Sequence, residues 1–350
     1  QLEKALHLAA TGRPGPCWLD IPVDVQSSLI DPATLRSYDP GEDRPAWRAA
    51  DLDAHCRLIL EKIAGAKRPV IMAGTGVRAA QALGEFEAVI RRLGIPVTTA
   101  WTHDIIASDD PLYCGRPGTI GTRAGNFTVQ NADVLLVLGS RLNIRQTSYN
   151  WKSFARHAFV IQVDIDAAEL AKPTVRPSHA IHCDLKPLLA ALGERLASGR
   201  HDTAQHADWL AWCRQRVATY PPVLPRQREC SGPINPYHFV EQLFGELGPS
   251  DVVAGGIATA CIVPFQAALL QRGQRMFSNS GNASMGHDLP AAIGAYFGAA
   301  AQRGSQRRVI CLAGDGSIML NIQELQTIAH GNLPIKIFIL NNSGYLSIRS

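Results

Sequence analysis

Arg308-Val309-Ile310-Cys311-Leu312-Ala313 is an apolar run that breaks on Gly314-Asp315-Gly316-Ser317. It is answered by a second apolar run, Pro334-Ile335-Lys336-Ile337-Phe338-Ile339-Leu340, that breaks on Asn341-Asn342. Short apolar runs closed by turn residues read as buried strands. Between them, Ile322 to His330 carries apolar residues at helical spacing. Strand, helix and strand in that order make a parallel pair, so Asp315 and Asn342 both stand at the carboxyl ends of neighbouring strands. That is where open α/β sheets bind ligands.

The two residue types suggest a particular ligand. Magnesium is a hard cation that takes a carboxylate, neutral oxygens, water and phosphate oxygens in an octahedron. Asp315 and Asn342 supply two such oxygens. Gly314 and Gly316 let the backbone approach a diphosphate closely, and Ser317 stands where a following helix would aim its first N–H groups at that anion. Gly-Asp-Gly alone also occurs in turns and calcium loops; the asparagine pair ending the next strand is what turns it toward a metal-diphosphate clamp.

Composition narrows the function classes. The chain has 350 residues, 46% of them hydrophobic, enough for two or three cores. A net charge of +4 with dispersed basic residues gives no electrostatic footing for nucleic acid or a membrane surface. Eight cysteines fall without a Cys-x-x-Cys pair and read as reduced thiols of a cytoplasmic protein. No apolar run reaches the roughly 18 residues a spanning helix needs. The longest, Leu289 to Ala301, reads as a helix started by Pro290 with Asp288 as its cap.

Punctuation divides the chain. Residues 1–30 give a helix, a Gly-Arg-Pro-Gly-Pro turn and one strand, too little for a core, and are expected to be the tail of a further domain. Residues 31–50 lack periodicity and read as a linker. Across 51–196, helical patterns alternate with strands at Pro69–Ala73, Ile95–Thr99, Val134–Leu138 and Phe159–Asp164, the pattern of a doubly wound parallel sheet. Residues 197–233 form a polar connector with Trp209 and Trp212 as packing anchors for the domain junction. The βα pattern resumes over 234–350. In the central part, Gly74-Thr75-Gly76 follows a strand and precedes a helix, where a backbone accepts phosphate; tight helix–sheet packing explains the same pair, and the third glycine of a dinucleotide fingerprint is absent. His103-Asp104 reads as a turn, and His330 as a helix-ending cation.

These motifs resemble the thiamine-diphosphate-dependent enzymes of the acetolactate synthase type, whose signature is Gly-Asp-Gly, a spacer of this length and Asn-Asn. Ser284-Met285-Gly286-His287-Asp288-Leu289-Pro290-Ala291-Ala292-Ile293-Gly294-Ala295 is similar to the family's Met-Gly-x-x-Leu-Pro-Ala-Ala-x-Gly-Ala block. Gly12-Arg13-Pro14-Gly15-Pro16 through Val25 is similar to the end of its pyrimidine-binding domain.

The resemblance implies a fold and a site. The fold is α/β, with the central and C-terminal doubly wound parallel sheets of such an enzyme. The cofactors are thiamine diphosphate and Mg2+, with FAD as a further one. Met285 would wedge under the bent cofactor. Gly256, Ile257, Ala258, Ser284, Gly314, Gly316 and Ser317 would contact it, the usual Gly-Gln-His being Gly256-Ile257-Ala258 here. Asp315, Asn342 and the backbone oxygen of Gly344 would hold the metal. Flavin contacts would come from Gly74, Gly76, Gly121, Thr122, Arg141, Asp164 and Asp166, although Ile120 replaces a histidine and Arg141-Leu142-Asn143-Ile144-Arg145 an Arg-Phe-Asp-Asp-Arg.

The implied reaction is decarboxylation of a 2-oxo acid such as pyruvate and addition of the carbanion to a second carbonyl, as in branched-chain amino acid biosynthesis. The catalytic glutamate is expected outside this chain. A homodimer or tetramer built through the thiamine sites is implied, with a regulatory subunit as a further partner. The alternatives are a 2-oxo acid decarboxylase, a cyclic 1,2-dione hydrolase, a non-catalytic homologue, and a flavin or nicotinamide oxidoreductase built on Gly74-Thr75-Gly76.

Overall fold

The computed structural model describes residues 1–43, 51–101, 104–199, 202–229, 231–300 and 307–349. Two wholly parallel sheets organise it. The first has the order β2-β1-β3-β4-β5, with β1 Pro69–Ala73, β2 Val97–Thr99, β3 Val134–Leu138, β4 Phe159–Asp164 and β5 His179–His182. The second has the order β7-β6-β8-β9, with β6 Val252–Gly255, β7 Arg275–Ser278, β8 Val309–Gly314 and β9 Ile335–Leu340. Parallel strands need helical crossovers, which cover both faces. This is the expected α/β class.

Burial explains the strands. Every residue of β1 and β3 is buried, so each reads as a continuous apolar run rather than an alternating one. One core packs the helices Leu52–Gly65, Leu83–Leu93 and Leu185–Ser198 on one face, through Ile59, Phe86, Leu188 and Leu192. The other face is covered by the helix Ala207–Thr219. Its Trp209 stacks on Trp212 at 5.1 Å and donates its indole N–H to the Pro69 carbonyl at 3.1 Å. The two tryptophans therefore fasten the connector to the central sheet rather than to the domain junction.

Several expectations are corrected. Residues 16–22 form no strand among the described residues, and Trp18 is 91% exposed there. A strand needs a hydrogen-bonded neighbour, and no described residue supplies one. The strand expected over Pro334–Leu340 is only half buried, because β9 has a described neighbour, β8, on one side alone. β5, whose His179-Ala180-Ile181-His182 carries little apolar signal, was not anticipated. Residues 44–50 of the linker and His103 lie outside the described residues.

Two polar bolts join the sheets' halves. Asp104 is not an open turn: its carboxylate, 1% exposed, pairs with Arg78 at 3.2 Å and with Arg275, and accepts from the Met276 N–H at 3.2 Å. Arg116 is 1% exposed and donates to the Phe265 and Ala268 carbonyls, each at 3.1 Å, at the C-terminus of the helix Thr259–Ala267. Those carbonyls have no intrahelical donor, and a cation suits that end of the dipole.

Candidate active site

In the second sheet β7 lies on one side of β6 and β8 on the other, so the chain changes direction between β6 and β8. That switch point opens a crevice at the strands' carboxyl ends. Gly256, Ile257 and Ala258 follow β6 there, and Gly314 to Ser317 close β8.

The β6 loop is shaped to expose its backbone. The Gly256 N–H donates to the Leu312 carbonyl at 2.8 Å, and a Cβ on Gly256 would stand 2.9 Å from the buried Asp288 carboxylate and 3.0 Å from that carbonyl. Only glycine fits. Ala258 sits at φ 50° and ψ −128°, a strained region for a residue with a Cβ. Among the described residues, the N–H groups of Ile257, Ala258, Thr259 and Ala260 have no acceptor. Orphan donors at a helix start form an anion cradle.

The β8 loop faces it. Asp315–Ile318 is one helical turn. A Cβ on Gly316 would fall 2.5 Å from the half-exposed Tyr345 ring, which would have to move aside. The Ser317 hydroxyl is buried and accepts from the Gly286 N–H at 2.9 Å, while Asn321 donates its amide to the Gly286 carbonyl at 2.8 Å. This ties the Ser284-Met285-Gly286 loop to the clamp, with Ser284 exposed and Met285 half buried. Gly286 takes φ 80° to make that connection.

The asparagine pair divides its work. The Asn341 side chain accepts from the Ser343 N–H at 2.8 Å, and the Gly344 N–H, in a turn with φ 123°, donates to Asp315 at 2.7 Å. The Asn342 amide makes no hydrogen bond among the described residues. The Asp315 carboxylate is thus tied to the turn that carries Asn342 and Gly344, and these residues offer the oxygen types suited to magnesium. Nearby His287 is half buried. Burial holds its pKa below the ordinary histidine value, against the opposing effect of the Asp288 carboxylate.

A second crevice opens at the switch point of the first sheet, between β1 and β3. Gly74 and Gly76 pack on Gly139: a Cβ on Gly76 would stand 2.6 Å from the Gly139 Cα. The resulting cavity of about 230 Å³ is lined by Gly74, Gly76, Arg141 and Asp164, joined by Arg13 and Trp101. Burial pushes the Asp164 carboxyl above its usual value. Asp166 lies outside the lining and pairs with Arg13. Burial raises its carboxyl, but the Ala168 N–H and Arg13 outweigh that and hold it low. A further hollow, sharing Thr75, Ala79 and Trp101, leads to Met276, Phe277 and Ser278 of β7.

Gly121 and Thr122 do not line this cavity. The Thr122 hydroxyl accepts from the N–H groups of Arg116 at 3.0 Å and Gly125 at 3.2 Å, and a Cβ on Gly121 would collide with the Arg116 carbonyl. Both residues shape the loop that presents Arg116. Sequence reasoning missed Asn321, Tyr345 and Arg13 as parts of these two crevices. Only Tyr345, three residues past Asn342, carried a positional hint.

Comparison with known proteins identifies the family. Residues 56–192 match the family described as thiamine pyrophosphate enzyme, central domain, and residues 257–350 the thiamine pyrophosphate enzyme, C-terminal TPP binding domain. The chain is 31% identical to the acetolactate synthase isozyme 1 large subunit of Escherichia coli, over 97% of this chain and 57% of that protein. It is 32% identical to the acetolactate synthase large subunit of Corynebacterium glutamicum, over 99% and 54%. It is 33% identical to the probable acetolactate synthase 2, chloroplastic, of Oryza sativa, over 97% and 50%. The chain thus spans about half the length of these relatives. It belongs to the thiamine pyrophosphate enzymes, as a central domain followed by a C-terminal TPP-binding domain.

Proposed function

We propose that this chain is the central and diphosphate-binding part of a thiamine-diphosphate- and Mg2+-dependent carboligase of the acetolactate synthase kind. It would decarboxylate a 2-oxo acid, pyruvate first among candidates, and join the remaining two-carbon unit to a second carbonyl. The observation that carries this reading is the pair of facing loops after β6 and β8, with four N–H groups on one that have no acceptor among the described residues and the Asp315–Gly344 turn on the other.

Thiamine diphosphate, when bound, supplies the nucleophilic carbon and the electron sink, and the protein's part is orientation and electrostatics. The N–H groups of Ile257 to Ala260 would hold the diphosphate, with Gly256, Gly314, Gly316 and Ser317 letting the backbone come close. Asp315, Asn342 and the Gly344 carbonyl would hold Mg2+. Met285, on a loop anchored through Gly286 to Ser317 and Asn321, would pack under the cofactor. The domain limits that fit this role are 51–196 and 234–350.

The cavity between β1 and β3 supports FAD or another nucleotide, with Gly74, Gly76, Arg141 and Asp164 in contact and Arg13 closing it through Asp166. Gly121, Thr122 and Asp166 would act on that site through the loop and the ion pair rather than by contact. A homodimer or tetramer, a regulatory subunit, a cytoplasmic location and a branched-chain biosynthetic role belong to the same proposal. None of the described helices is long and apolar enough to cross a membrane.

The test is pyruvate consumption by the complete gene product with thiamine diphosphate, Mg2+ and FAD, with acetolactate quantified apart from acetaldehyde. The reading expects one acetolactate per two pyruvates, lost in Asp315→Ala. Acetaldehyde as the product would assign a decarboxylase instead, and turnover without thiamine diphosphate would overturn the reading.

A further inference from the structure

A third hollow, of about 260 Å³, lies between the two sheets' domains and shares Arg78 and Arg275 with the hollow that leads to β7. Its charge is unbalanced. Arg78 and Arg275 share the single carboxylate of Asp104. Arg91 pairs with Asp110, and Arg272 with Glu87 at 2.7 Å. Arg307 also lines the hollow and has no carboxylate partner among the described residues; its Nε, like that of Arg78, is buried without a hydrogen-bond acceptor. Five guanidinium groups thus face three carboxylates, an excess of two positive charges. Phe86, Ile90 and Leu270 give the hollow an apolar wall.

We propose that this interdomain hollow is a binding site for a small phosphate-bearing metabolite. Two uncompensated charges match a phosphate dianion, and planar guanidinium groups with free N–H donors recognise phosphate in preference to a simple counter-ion. The excess is already felt: burial, with Arg275 and Arg307 adding to it, holds Arg78 below its ordinary value against the pull of Asp104. A bound dianion would relieve that repulsion and bridge the central domain's Arg78 to the C-terminal domain's Arg275 and Arg307. The site would therefore sense a phosphorylated compound and stiffen the domain junction.

The probe is inorganic phosphate, titrated calorimetrically into the full protein with thiamine diphosphate and Mg2+ already saturating the β6–β8 loops. Wild type is expected to bind. Arg307→Ala, which leaves no carboxylate stranded, is expected to weaken binding about tenfold or more, the loss of one charge-assisted contact. Glu87→Gln is expected to tighten it, since it frees Arg272. A merely structural role for this cluster predicts no such opposite shifts. Equal phosphate affinity in wild type and both variants would place the phosphate in another site and overturn the proposal, as would the absence of binding. Thiamine diphosphate affinity, measured in the same variants, is expected to stay unchanged, so failure here is separable from failure of the carboligase reading.

Discussion

Asp104→Ala removes a carboxylate that three donors from two domains share: Arg78 at 3.2 Å, Arg275, and the Met276 N–H at 3.2 Å. Deleting one partner of a buried ion pair typically costs about 3–5 kcal/mol, because the remaining charge stays buried and unpaired. Here the carboxylate is 1% exposed, but the Arg78 and Arg275 side chains keep 31% and 34% of their surface. Water therefore screens part of the loss, and about 2–4 kcal/mol is the expected destabilisation. At roughly 2.1 cal/mol/K of unfolding entropy per residue, 350 residues make 1 kcal/mol worth about 1.4 °C in Tm, so the shift should be on the order of 3–6 °C. Asp104→Asn keeps an acceptor for the Met276 N–H and should fall between wild type and alanine. Calorimetry on the three proteins at one pH and salt decides the matter. An alanine variant within about 0.5 kcal/mol of wild type would refute the idea that this bolt holds the domains together.

Three further outcomes follow from other parts of the molecule. Gly74→Ala places a methyl 2.6 Å from the Ser140 Cα and closer still to the Gly139 carbonyl, so it should destabilise by more than about 2 kcal/mol and abolish nucleotide binding; wild-type FAD or ADP affinity in the variant would contradict this. Burial pushes the thiols of Cys56, Cys183 and Cys311 up to about 11, 12 and 12, whereas Cys17 is exposed. Iodoacetamide at pH 7.5 should therefore label Cys17 in the native protein and those three only after unfolding, as peptide mapping would reveal. Asp110 is pushed up by burial, but hydrogen bonds from Arg91 and the Leu112 N–H outweigh that and set its folded value below that of the unfolded chain, about 3.9. Its contribution is thus fully present above that unfolded value and lost as pH falls through the lower folded one. Asp110→Asn should flatten the acid limb of the stability profile, and an unchanged limb would count against the pairing.

Much of this architecture was legible because its signals are local. β1, β3 and β8 are unbroken apolar runs closed by glycine, β4 is interrupted by Gln162 alone and ends in Asp164, and buried parallel strands have no solvent face to dilute that pattern. The placement of Asp315 and Asn342 on adjacent strand ends followed from the strand–helix–strand order alone. What stayed hidden is non-local. Asp104 reads as a turn residue until Arg275, far along the chain, is brought to it. Arg116 looks like an ordinary surface cation in sequence, yet it is among the largest fully buried side chains. The hydrogen bonds from Gly286 to Ser317 and Asn321 depend on a fold that places two loops face to face. Gly121 and Thr122 resemble part of a flavin-binding loop in sequence, but their backbone and hydroxyl are engaged within their own loop.

The most direct test of the β6–β8 clamp is a titration of thiamine diphosphate into the complete protein, with and without Mg2+, for wild type and Asp315→Ala. The clamp predicts binding that requires Mg2+ in wild type and is weakened at least tenfold in the variant, with the fold intact by circular dichroism. Equal affinity in both proteins, or binding indifferent to Mg2+, would contradict it.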